Sequence, residues 1–286
     1  MDGVFKRPAT GDASEVAAQD EPVQGAARAG SETAWHRLRD AYSLAPNEVQ
    51  VWRATLDASQ EDIAEFMRVL SAEERAHAQG FHFAADSRRH IIGRGLSRTL
   101  LGHCLARPAD EVEFEYNGFG KPRLAADLRS SIEFNISHSG DLVLVALTLG
   151  RAVGIDVERM QSRMATEEIA TRFFSPNECQ TLFSLVPELQ CEAFFSCWTR
   201  KEAYLKARGD GLSLPLDTFD VAFAPGEEPR LLATRHDPGE AHRFTMRAPD
   251  PGHGCKAALV AEGSGWKLTC WDWRPEHPTC STASAR

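Results

Sequence analysis

The sequence predicts an α+β protein made of two similar lobes. Helical and strand patterns alternate through the middle of the chain, they fall into two comparable halves, and the halves meet near Gly150, between two apolar strands. The first half opens with alternating apolar and polar residues at 49–54, a strand pattern. Helical spacing follows at 61–70 and again at 84–105, where Ile91, Ile92, Leu96, Leu100 and Leu101 mark the inner face. Short strands are expected at 113–116 and 132–136, and the unbroken apolar run 142–149 reads as a buried strand. The second half starts with a strand at 152–158, continues with helices at 175–185 and 188–208, and closes with strands at 219–223, 243–246, 256–260 and 267–273. No residue-level repeat is visible between the halves, so their symmetry rests on element order alone.

The ends differ from this middle. Residues 1–31 are rich in Ala, Gly, Asp and Glu, have Phe5 as their only aromatic, and lack the basic and apolar regions of a signal peptide. The expected organisation is therefore a disordered extension at 1–45, an N-terminal lobe at 46–150, a C-terminal lobe at 151–274 and a flexible tail at 275–286. With 32 basic and 41 acidic residues the net charge is −9, which disfavours a nucleic-acid polymer as partner. No apolar run reaches the roughly 18 residues of a membrane span. Seven cysteines, none in a C-x-x-C pair, argue against a complete disulfide framework, and a cytoplasmic protein away from membranes is expected.

The chemistry concentrates in a few places. In Val153-Gly154-Ile155-Asp156-Val157-Glu158, strand alternation puts Asp156 and Glu158 on one side and Ile155 and Val157 on the core side. Carboxylates two apart on a strand repel each other unless a cation lies between them, and hard oxygen ligands of this kind suit Mg²⁺. A solvated strand edge carries the same pattern. In Trp198-Thr199-Arg200-Lys201-Glu202-Ala203-Tyr204-Leu205-Lys206, helical spacing places Trp198, Glu202 and Lys206 on one face, so Glu202 offers a third carboxylate and Lys206 a phosphate contact. An ordinary surface Glu–Lys pair is the simpler account of those two, but Phe194, Phe195, Trp198 and Leu205 mark the helix as packed. Glu178 belongs to the capping box Ser175-Pro176-Asn177-Glu178, a local role that keeps it out of the metal site. The turns around Lys121-Pro122 and Asn135-Ile136-Ser137-His138-Ser139-Gly140, together with the basic stretch Arg88, Arg89, His90 and Arg94, offer donors to an anion, although hairpin loops and a solvated helical face fit them equally well.

Taken in order and spacing, G-K-P, F-N-I-S-H-S-G, G-I-D-V-E, W-T-R-K-E-A-Y-L-K and G-L-S-L-P-L-D resemble the Sfp-type 4′-phosphopantetheinyl transferases over 49–273. The resemblance implies a pseudo-dimeric fold of two α+β lobes with the active site between them. It implies a transferase that moves the phosphopantetheine arm of coenzyme A onto a serine of an acyl or peptidyl carrier protein, as a monomer, in polyketide, nonribosomal-peptide or siderophore synthesis. It further implies Mg²⁺ held by Asp156, Glu158 and Glu202, with Asp156 and Glu202 in catalytic roles, the latter or a metal-associated water removing the serine proton. Lys206 then meets the pyrophosphate, Ser137 and His138 the 3′-phosphate, Lys121 and Pro122 the nucleotide end, and Arg89 and His90 complete the clamp. One departure stands out: family members often carry two basic residues before the F-x-F segment, whereas this chain has Glu73-Glu74-Arg75-Ala76-His77. A non-catalytic coenzyme A or nucleotide-binding protein, or a Mg²⁺-dependent nucleotide phosphohydrolase, are the alternatives. The first is disfavoured by the complete set of acids with Lys206; the second leaves the S-H-S-G and G-K-P turns without a task.

Overall fold

A turn at Gly150, left-handed at φ +61°, separates two assemblies of similar design in the computed structural model, which describes residues 33–37, 42–209 and 211–274. The first contains β1 (Trp35–Arg37), β2 (Glu48–Thr55), α1 (Gln60–Val69), α2 (Ala72–Gln79), α3 (Ala84–Leu105), β3 (Phe114–Tyr116), β4 (Pro122–Leu124), β5 (Ile132–Ser139) and β6 (Leu142–Leu149). The second contains β7 (Val153–Arg159), α4 (Glu167–Phe173), α5 (Pro176–Ser184), α6 (Pro187–Arg208), β8 (Phe219–Ala222), β9 (Arg230–Thr234), α7 (Glu240–Arg243), β10 (Phe244–Arg247) and β11 (Cys255–Glu262), and the chain then returns to the first as β12 (Lys267–Asp272).

The larger sheet has the order β1-β12-β2-β6-β5 and the smaller the order β10-β11-β7. Strand β12, which the sequence reading counts in the C-terminal lobe, lies in the first sheet, parallel to both β1 and β2. Such a pairing joins strands far apart in the chain, so no local pattern announces it. Strand β1 falls inside the segment read as a disordered extension; residues 1–32 and 38–41 of that segment, and the tail at 275–286, lie outside the described residues. Six elements have no counterpart in the sequence reading: β1, α2, β4, α4, β9 and α7.

The two sheets lie face to face between helical layers, and this explains the unbroken apolar run in β6. Val143, Val145 and Leu147 pack with Ile92, Leu96 and Leu100 of α3. Leu142, Leu144 and Ala146 point the other way and meet Ile155 and Val157 of β7 and Leu259 and Ala261 of β11. The far side of the second sheet, through Ala258 and Val260, is covered by α6 with Phe194, Ala203 and Leu205. A strand buried on both faces has no polar side to alternate with.

Each lobe is fastened by the same device. Ser71 caps α2, and Glu74 of that capping box accepts from the Ser71 N–H (2.9 Å) and from Arg98 Nε of α3 (2.6 Å). Ser175 caps α5, and Glu178 accepts from the Ser175 N–H (2.8 Å) and from Lys201 Nζ of α6 (2.7 Å). Arg98 and Lys201 each stand fourteen residues after the start of a 22-residue helix. Glu178 thus holds the structural place that its capping box implies.

Candidate functional site

Gly154 sets the site. A Cβ there would lie 2.1 Å from the Ala203 carbonyl oxygen and 2.3 Å from the Ala207 nitrogen, so only glycine lets α6 rest directly on β7. This close approach puts the helix residues Glu202 and Lys206 beside the strand residues Asp156 and Glu158. As expected, Ile155 and Val157 face the core while both acids turn to the α6 side.

Lys206 Nζ donates to Asp156 Oδ1 (2.7 Å) and to Ser137 Oγ (3.1 Å). Ser137 Oγ in turn donates to the same Asp156 oxygen (3.0 Å). Ser139 Oγ donates to Glu158 Oε2 (2.6 Å). Burial works against the charge of Lys206, but Asp156, Glu202 and Glu158 outweigh it and hold the ammonium above its ordinary range. Burial, then the neighbouring Asp156, pushes the Glu158 carboxyl up to about 7. The same two causes push Glu202 up to about 8. Three acids and one lysine therefore share one poorly solvated place.

Among the described residues no three His, Cys, Asp or Glu side chains already converge as a metal cage. Two carboxylate oxygens here, Asp156 Oδ2 and Glu202 Oε1, are nonetheless buried without any partner. A buried unpaired carboxylate oxygen is costly, and hard anionic oxygens on three neighbouring acids are the donor set that a divalent cation takes. The residues fit a Mg²⁺ ion on that observation.

The remaining predicted residues divide into groups. Lys121 Nζ donates to the carbonyls of Lys206 (2.6 Å) and Val153 (3.0 Å), and burial lowers it to about 8. With Asn117, whose Nδ2 donates to the Gly209 carbonyl (2.8 Å), it caps the C-terminus of α6 from the other lobe. Pro122 opens β4 beside it, opposite Tyr116. On α3, Arg89 donates to the Gly140 carbonyl (2.7 Å) and to Asp86 (2.6 Å). His90 lies with its ring 4.8 Å from that of His77 and 5.7 Å from that of Phe81. His138 is half-buried, and alternation along β5 turns it away from Ser137, to the side where Ile136 meets α3 at Gly93. The structure thus gathers Asp156, Glu158, Glu202, Lys206 and Ser137 by contact or charge. Arg89, His90 and His138 belong to the α3 side.

The departure before the F-x-F segment has a structural content. Glu74 is committed to Arg98, and Arg75 donates to the carbonyls of Leu70 and Met67 at the end of α1. Of that stretch, His77 is the residue that lies beside His90.

Sequence reasoning read Asn135 and Ser139 as part of a turn and gave neither a role of its own, whereas both lie in β5. Their signal was the two-residue period of polar side chains in Asn135-Ile136-Ser137-His138-Ser139, which marks one face of a strand.

Comparison with known proteins bears on the family. Residues 152–256 match the model of the 4′-phosphopantetheinyl transferase superfamily, and residues 52–149 match that of the 4′-phosphopantetheinyl transferase N-terminal region, so the models part at the Gly150 turn. The 4′-phosphopantetheinyl transferase HetI of Nostoc sp. is 37% identical over 232 residues, covering 81% of this chain and 94% of the relative. A 4′-phosphopantetheinyl transferase of Bacillus subtilis is 34% identical, covering 68% and 88%. The transferase Sfp of Bacillus subtilis is 30% identical, covering 77% and 89%. With a fold of two fused lobes, and with relatives matched over nearly their whole length, the chain belongs to the 4′-phosphopantetheinyl transferase superfamily.

Proposed function

We propose that this enzyme transfers the 4′-phosphopantetheine group of coenzyme A to a serine hydroxyl of an acyl or peptidyl carrier protein. A bond forms between the serine oxygen and the β-phosphorus of coenzyme A, the pyrophosphate bond breaks, and 3′,5′-adenosine diphosphate leaves. The observation that carries the reading is the gathering of Asp156, Glu158 and Glu202 around Lys206 with two carboxylate oxygens buried and unpartnered. Asp156, Glu158 and Glu202 would hold Mg²⁺, and the ion, when bound, neutralises charge on the pyrophosphate. Asp156 holds the Lys206 ammonium in place, and that ammonium meets the pyrophosphate. Glu202, buried on α6, receives the serine proton. Arg89, His90, Lys121, Pro122, Ser137 and His138 border the nucleotide end and its 3′-phosphate.

The enzyme acts as a cytoplasmic monomer. Support for this comes from the fusion of both lobes in one chain and from the six described cysteines, all free thiols. No described helix is long and apolar enough to cross a membrane.

The test mixes the protein with Mg²⁺, coenzyme A and an apo carrier protein, and follows the carrier by mass spectrometry. The expected result is a gain of one phosphopantetheine group on the carrier serine. An unmodified carrier, with adenosine diphosphate released whether or not carrier is present, would identify a hydrolase instead. A panel of apo peptidyl, acyl and aryl carriers then identifies the acceptor.

A further inference from the structure

The two sheets meet at β5 and β7, each the edge strand of its own sheet, with no backbone ladder between them. Side chains take the place of that ladder. Asn135 Oδ1 accepts from the Ile155 N–H (2.9 Å), Ser137 Oγ from the Val157 N–H (3.2 Å) and Ser139 Oγ from the Arg159 N–H (3.0 Å). Each step of two residues along β5 matches a step of two along β7, so the strands run in parallel and in a single register.

A serine hydroxyl that accepts in this way still has one proton to give. Ser137 gives it to Asp156, and Ser139 gives it to Glu158. Asn135 stands across from Gly154, which has no side chain to hold because α6 fills that space. The pattern thus changes from amide to hydroxyl where β7 changes from glycine to carboxylate. Ser137 also accepts from Lys206, whereas Ser139 makes its two bonds to Arg159 and Glu158 alone among the contacts described.

We infer that Ser139 is a positioning residue that ties the Glu158 carboxylate to the register between the lobes. The inference rests on the proposed function above, because it assigns Glu158 to the cation site. Holding one carboxylate oxygen through a hydroxyl fixed to the neighbouring backbone presents the other oxygen in a set direction. Loss of such an outer hydrogen bond typically weakens metal binding by about 10–100-fold.

The experiment uses the full chain with coenzyme A and measures Mn²⁺ binding from the free-Mn²⁺ signal in electron paramagnetic resonance, alongside thermal melting. Ser139→Ala is expected to weaken Mn²⁺ binding by about 10-fold or more. Ser139→Thr, which keeps the hydroxyl, should restore it. Asn135→Ala removes a seam bond that touches no carboxylate, so it should lower the melting temperature yet leave Mn²⁺ affinity at the wild-type value. If Ser139→Ala does not fold, Ser139→Cys, with a weaker donor of similar size, replaces it under the same expectation. Wild-type Mn²⁺ affinity in Ser139→Ala, or an equal loss in Asn135→Ala, overturns the inference and leaves the transferase reading standing. No Mn²⁺ binding by the wild-type protein overturns the cation site and the inference together.

Discussion

The helices α3 and α6 are the same length and occupy equivalent places in the two lobes, yet they do different work. In each, the cation fourteen residues in is bonded to the glutamate of a capping box. In each, that cation also reaches carbonyls beyond the helix: Arg98 that of Val112, and Lys201 those of Leu216 and Phe219. One residue further on, α3 has Thr99 and α6 has Glu202; five residues further on, α3 has His103 and α6 has Lys206. Thr99 is bonded to the Gly95 carbonyl of its own helix, and His103 to the Tyr42 carbonyl. Glu202 keeps a buried oxygen without a partner, facing two more acids. The lesson is that one scaffold serves both lobes, and that the proposed chemistry uses the helix whose equivalent position carries a carboxylate facing two more acids.

The comparison is open to experiments that break it. The largest effect is expected from Asp156→Ala, which removes the partner of Lys206. Transfer to the carrier should fall on the order of 10³-fold, with circular dichroism and melting close to wild type. Near-normal rates in that variant would take the site away from the C-terminal lobe. Next come the two fastenings. Arg98→Met and Lys201→Met each strand a buried glutamate and should cost about 3–5 kcal/mol in denaturant unfolding. A loss below about 1 kcal/mol in either would end the equivalence of the lobes. The joint change Glu178→Leu with Lys201→Met should cost much less than Lys201→Met alone, because no charge is then left buried.

Lys206→Ala tests the divergence directly. It should lower kcat/KM for coenzyme A on the order of 10²-fold, while His103→Ala at the matching place changes transition-state stabilisation by less than about 0.5 kcal/mol. Similar losses from both would mean that α3 shares in the chemistry. The smallest effect is expected from the caps: Ser71→Ala and Ser175→Ala should each destabilise the protein by about 1 kcal/mol, read as equal shifts of the denaturation midpoint.

Much of this was legible in the residues where the signal is local. The bounds of α3 and β6 agree with their apolar patterns, and the D-x-E acids lie on the face that alternation assigns. Helix α2 escaped because Ala72 to Gln79 is mostly Ala, Glu and Gln and has little apolar period, although its Ser71–Glu74 capping box was as readable as that of Ser175. The repeat between the lobes escaped because the two fastenings share only a serine and a glutamate in sequence, and one uses arginine where the other uses lysine. Their likeness is in the bond, not in the letters.

By itself the sequence determined the α+β class and the family resemblance, and it singled out the acids that the structure brings together. These follow from periods of two and 3.6 and from motifs a few residues long, which neighbouring residues specify. The tertiary structure alone decided that β12 returns to the first sheet, that Lys121 caps α6 from the opposite lobe, and that Ser139 holds Glu158. Each of those depends on which distant donor a buried acceptor finds, and the closest of these partners, Ser139 and Glu158, are nineteen residues apart in the chain.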